Sequence, residues 1–162
     1  MSFAVFGTRR LALAVVAFSL AGSLLPVAAP APTQAYTTQA NAVVGFAKNQ
    51  LGKPWSLGAT GLRRYDCSGL VYRSYVEAGL LNKIGGSRRT ARGYLNWFKE
   101  RGLASRSNPR KGDLVVWGYG SHIGIYIGDG KAVSALSNGV KVHGVYAVTA
   151  RFTAFLHVNI TR

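Results

Sequence analysis

The sequence predicts an α+β fold, with helices first and an antiparallel sheet after them. Three observations carry this. From about Thr38 to Gly102, apolar residues recur at helical spacing. After Pro109 come short β-rich runs separated by Gly, Asp, Asn and Ser. The two kinds of segment do not alternate, so the order is that of helices packed on a strongly curved sheet rather than of βαβ units. A length of 162 residues suffices for one domain with a real core and little more.

The first stretch stands apart. MSFAVFGTRR is short and ends in Arg9 and Arg10, LALAVVAFSLAGSLL is apolar, and PVAAPAPTQAY is rich in small residues and proline. Basic, apolar, then small is the order of a secretory signal peptide, and Thr33-Gln34-Ala35 approximates its cleavage site. The expected division is therefore residues 1–35 as a cleaved signal and residues 36–162 as one domain. The apolar run is short beside the roughly 20 residues of a bilayer span, so stable membrane insertion is not expected.

The elements then follow in order. NAVVGFAKNQLG puts Val43, Val44, Ala47 and Leu51 on one helical stripe, with Gly52 as its end. KPWSLGATGLRR is a loop, punctuated by Pro54, Gly58 and Gly61. YDCSGLVYRSYVEAGL is a second helix, capped by Asp66 and ended near Gly79. Thr90 caps a third, ARGYLNWFKERG, with Leu95 and Phe98 facing inward and Gly102 as its stop. GDLVVWG, HIGIYIGDG, KAVSAL, GVKVHGV and FTAFLHV are the strands. Asp129-Gly130 is a strong hairpin turn signal, and Ser137-Asn138-Gly139 is a second.

The chain has one cysteine, Cys67, directly after the Asp66 cap. Cys67, Val71, Ser74 and Ala78 share one helical face, and Val71 and Ala78 mark it as buried. The helix dipole and the unpaired N–H groups of the first turn favour thiolate, so a lowered pKa is expected there. The same N–H groups can hold an oxyanion. A lone thiol in an exported chain cannot form an internal disulfide, so it is either a small core residue or a nucleophile.

A nucleophilic thiol needs a base, and there are three histidines. His122 opens HIGIYIG, where His122, Gly124 and Tyr126 share one face and Ile123, Ile125 and Ile127 the other. Gly124 is read as leaving room for the helix to approach. His143 shares its face with Lys141 and is read as solvent-facing. His157 is read as core or rim. No spacing of these residues matches a zinc motif, so neither a metal nor a cofactor is expected.

The formal net charge is +15, and about +13 without Arg9 and Arg10. Such a surface concentrates near polyanions. Outside the cytoplasm, anionic wall polymers are candidate partners. Nucleic acid is disfavoured, because no basic arm, zinc finger or RNA-recognition signature is present.

PWSLGATG, YDCSGLV, KGDLVVW and HIGIYIGDG, in this order and at these distances, resemble the NlpC-type family of papain-like cysteine peptidases that cut bacterial cell-wall peptides. The likeness runs from about Asn41 to Val158. It implies a papain-like fold, the cysteine helix packed on a five- or six-stranded antiparallel sheet. It implies Cys67 as nucleophile, His122 as base, an oxyanion hole that uses the Cys67 N–H, and a cleft lined by Asp66 and Ser68. It further implies a hydrolase of peptidoglycan stem peptides, cutting between D-glutamate and a diamino acid; the signal peptide makes it a secreted or cell-wall protein, and a monomer is the default expectation. Two positions depart from the family pattern. The third catalytic residue, often a histidine, falls on Ser134, which orients imidazole less firmly than a carboxylate does; another side chain, with His143 a remote candidate, can take that part. Trp55 stands where tyrosine is common and keeps the aromatic wall without the hydroxyl. Arg63, Arg64, Arg88 and Arg89 are candidates for binding stem-peptide carboxylates. An amidase or acyltransferase on the same fold, or a catalytically weak cationic wall-binding module, would fit the same residues.

Overall fold

A computed structural model describes residue 1 and residues 38–162. The signal-peptide expectation, with its cleavage after Ala35, lies outside the described residues. None of the described helices is long and apolar enough to cross a membrane.

Three α-helices lead the described chain: α1, Gln39–Lys48; α2, Cys67–Glu77; and α3, Ala91–Lys99. Each starts at a side-chain cap. Thr38, Asp66 and Thr90 accept hydrogen bonds from the N–H groups of Asn41, Gly69 and Gly93, satisfying donors that have no partner within the helix. Val43, Val44 and Ala47 of α1 are buried as expected. Leu51 is not: the helix stops at Lys48, and Leu51 lies 44% exposed in the turn beyond. Backbone bonds explain the early stop. The Gly52 N–H donates to the Val140 carbonyl and the Val140 N–H to the Lys53 carbonyl, so this segment is held by the sheet instead of by a longer helix.

Six strands follow: β1, Ala104–Ser105; β2, Leu114–Trp117; β3, His122–Gly128; β4, Lys131–Leu136; β5, Gly139–Gly144; and β6, Phe152–Leu156. They form one antiparallel sheet in the order β1-β6-β2-β3-β4-β5. Asp129 and Gly130 both have positive φ, 50° and 67°, as the tight β3–β4 turn requires. The α+β fold with the cysteine helix on an antiparallel sheet is the one expected, at the upper strand number.

The sheet buries both faces. Leu114, Val116, Ile123, Ile125, Val133 and Leu156 join the helices in the main core. Val115, Trp117, Tyr126, Ala132 and Phe155 form a second core behind it, with Val145 and Phe152. The isoleucines of β3 thus meet the helices, and Gly124 faces away from them. A side chain at Gly124 would strike the Val133 carbonyl at 2.7 Å and Ser134 Cβ at 2.8 Å. The glycine makes room for β4, not for the cysteine helix.

Candidate active site

Asp66 ends the loop that begins at Lys53 and starts α2. Its carboxylate is the local organiser. Oδ1 accepts from Ser68 Oγ at 2.9 Å and from the Gly69 N–H at 2.5 Å. Oδ2 accepts from the Gly58 N–H at 2.8 Å and from Arg88 Nη2 at 2.7 Å. Gly69 is required here, since any Cβ would run into the Ala59 carbonyl of the same loop. The cap therefore pins helix, loop and Arg88 together, and Cys67 follows it as the first residue of α2.

Cys67 is partly buried and packs on the main core. The N–H groups of Ile123, Ser68 and Cys67 itself point at its sulfur and support thiolate. The net effect is nevertheless opposite to the expectation. Burial pushes the thiol pKa up, and the Asp66 carboxylate adds to the rise. The positive end of α2 is largely answered by its own aspartate cap. The resting group is a thiol.

Ile123 follows His122, so its N–H at the cysteine sulfur places the start of β3 against the start of α2. Cys67 and His122 both line one cleft of about 720 Å³. Trp55, Asp66 and Ser68 line it too, as does Arg88. Burial lowers the His122 pKa to about 4, with the nearby His143 contributing, so the imidazole is neutral at ordinary pH. A thiol and a neutral imidazole thus border one cleft.

Behind His122 lies a chain of polar side chains. His122 Nε2 is 2.9 Å from Ser134 Oγ, and that oxygen is 2.7 Å from His143 Nε2. His143 Nδ1 reaches the Gly144 carbonyl oxygen at 3.0 Å. Ser134 is fully buried. Both rings lean on Trp117, at centroid distances of 5.3 and 5.5 Å. The Trp117 indole N–H donates to the Val145 carbonyl and so fixes that platform. His143 is thus half-buried and bonded, not solvent-facing. Strand alternation misplaced it because the face it shares with Lys141 is covered by Trp117 only at the His143 end.

The third histidine is elsewhere. His157 Nδ1 donates to Asp113 Oδ2 at 3.0 Å, and its Nε2 meets Ser105 Oγ at 2.7 Å. The connectivity is that of a Ser–His–Asp triad, but its parts are committed. Asp113, fully buried, also accepts from the N–H groups of Arg110 and Val158 and from Arg162. Ser105 Oγ closes a turn with Ser107. The cluster fastens β1, the turn before β2 and the segment after β6. Among the four candidate arginines, Arg88 and Arg89 border the cleft; Arg63 and Arg64 are not among its lining residues. The Arg88 pairing with Asp66 was invisible in the sequence, because the partners lie 22 residues apart with no periodicity to link them.

A family model described as the NlpC/P60 family matches residues 52–157. The chain belongs to the NlpC/P60 family. A curated relative in Listeria grayi, named probable endopeptidase p60, is 38% identical over 117 residues, which is 70% of this chain and 21% of the relative. This NlpC/P60 chain therefore spans about a fifth of the length of the first such relatives it matches. Among solved structures, the P60 domain of an antigen from Mycobacterium avium subspecies paratuberculosis superposes with a TM-score of 0.60 at 24% identity, covering 75% of this chain and 95% of that one. The peptidoglycan hydrolase RipB from Mycobacterium tuberculosis gives a TM-score of 0.54 at 26% identity, covering 76% and 64%. The described helices and six-stranded sheet are those of the papain-like NlpC/P60 fold.

Proposed function

We propose that the protein is a secreted cysteine endopeptidase that hydrolyses peptidoglycan stem peptides, with Cys67 as nucleophile and His122 as base. One observation carries the reading: the only cysteine opens into the same cleft as a neutral histidine whose far nitrogen is already engaged. The family's curated relatives named endopeptidases support the reaction class. With Nε2 held by Ser134, Nδ1 is the nitrogen of His122 left for the thiol. It takes the Cys67 proton as sulfur attacks the amide carbonyl carbon. The carbonyl π electrons move to oxygen, and the N–H groups at the start of α2 hold that oxyanion. His122 then protonates the departing amine, leaving a thioester. Water, deprotonated by His122, attacks the thioester; the acid leaves and the thiol is restored. Trp55 walls the peptide, Ser68 hydrogen-bonds it, and Arg88 receives a substrate carboxylate. The bond expected is that between D-glutamate and the diamino acid.

The test compares the protein with Cys67→Ala on purified peptidoglycan, with products read by mass spectrometry. New stem-peptide fragments from the parent alone, of masses that fix the bond, are expected. Folded, reduced parent that releases nothing would sink the proposal. Loss of an amide group or transfer of an acyl chain would instead identify an amidase or acyltransferase at the same two residues.

A further inference from the structure

We infer that His143 is a positioning residue that decides, through Ser134, which nitrogen of His122 carries the proton. The inference rests on the Cys67–His122 reading above. The Gly144 carbonyl oxygen can only accept a hydrogen bond. His143 Nδ1, 3.0 Å from it, therefore bears a proton. In a neutral imidazole the other nitrogen is then a bare acceptor. Ser134 Oγ is 2.7 Å from that nitrogen, so the hydroxyl proton points to His143. The serine oxygen is left with lone pairs alone for His122, whose Nε2 at 2.9 Å must donate. His122 is thereby fixed with its proton on Nε2 and its lone pair on Nδ1, the form able to accept a proton from the thiol.

Serine alone would not achieve this. A hydroxyl both donates and accepts, so a serine beside an imidazole tolerates either tautomer. His143, anchored to a carbonyl, removes the ambiguity. The register allows the reach: Ser134 opposes Lys141 and Ala132 opposes His143, so His143 meets Ser134 along the diagonal of the β4–β5 pair. Full burial of Ser134 keeps water from substituting for either partner. Trp117 holds both rings in place.

The experiment uses the folded protein with nitrogen-15-labelled histidine and reads the His122 tautomer by NMR. Two rates accompany it: alkylation of Cys67 by iodoacetamide, which needs no substrate, and turnover of peptidoglycan fragments. The parent should show the Nε2–H form of His122. His143→Phe keeps a ring against Trp117 but offers no nitrogen. It should populate the Nδ1–H form and lower both alkylation and kcat about 10- to 100-fold, with KM little changed. His143→Gln places an amide oxygen within reach of the Ser134 hydroxyl and should restore most of the loss. If His143→Phe does not fold, Ser134→Ala breaks the same link and should give the same tautomer change. A His122 tautomer and rates unchanged by either substitution would overturn the inference. His122→Ala separates the two readings. If it leaves Cys67 alkylation untouched, the Cys67–His122 pairing itself fails. If it slows alkylation while His143→Phe does not, only the role of His143 fails.

Discussion

Around Cys67 and His122, the loss of water acts on each group against its charged form. The thiol is pushed up and the imidazole down, so burial favours the neutral form of both. The histidine has a consequence for stability. Unfolded, it titrates near 6.5; folded, at about 4. Between those values the unfolded chain binds more protons, so stability is complete above about pH 6.5 and falls as pH drops towards 4. The loss amounts to up to about 3 kcal/mol. Urea midpoints measured from pH 8 to pH 4 should show this slope, and His122→Gln should remove its share of it. Equal slopes in both proteins would mean that His122 is not held neutral by burial. The sequence could place a cysteine at a helix start and a histidine at a strand start. It could not weigh a helix dipole against desolvation, since burial arises from residues distant in the chain.

Strands β3 and β4 carry His122 and Ser134, and their closeness depends on Gly124. Its missing side chain admits Ser134 and the Val133 carbonyl. Gly124→Ala should therefore spread the pair and destabilise the fold by about 1–3 kcal/mol, seen as a lower Tm. It should also lengthen the Ser134–His122 bond and slow turnover. An alanine variant as stable and active as the parent would contradict the packing described. Most elements were legible because their periods and caps are local: Thr38, Asp66 and Thr90 each start a helix, and Asp129-Gly130 makes its hairpin. The face of the sheet that receives the helices was not legible. All of β2, from Leu114 to Trp117, is buried, so no polar side marks an outer surface. β1, two residues long, is too short to show any period.

At the scale of the whole molecule, charge dominates. The sequence has 20 Lys and Arg against 5 Asp and Glu. Four of those acids are already paired, Asp66 with Arg88, Glu77 with Arg73, Glu100 with Arg101 and Asp113 with Arg162. The surplus is left to attract polyanions. Retention on an anionic polymer should be strong at low salt and lost towards about 1 M, where screening acts within about 3 Å. Cys67→Ala should leave that retention unchanged; weak retention at low salt would remove electrostatic capture of wall polymers from consideration.

The cleft has one further consequence, which follows from where its walls come from. Cys67 belongs to the helical half of the described chain and His122 to the sheet half, and the docking of β3 against the start of α2 brings them to one cleft. An extended chain therefore carries an ordinary cysteine and an unconnected histidine, with no Ser134 hydroxyl at the ring and no N–H groups gathered around the sulfur. The arrangement on which the proposed hydrolysis depends is acquired at the moment of folding.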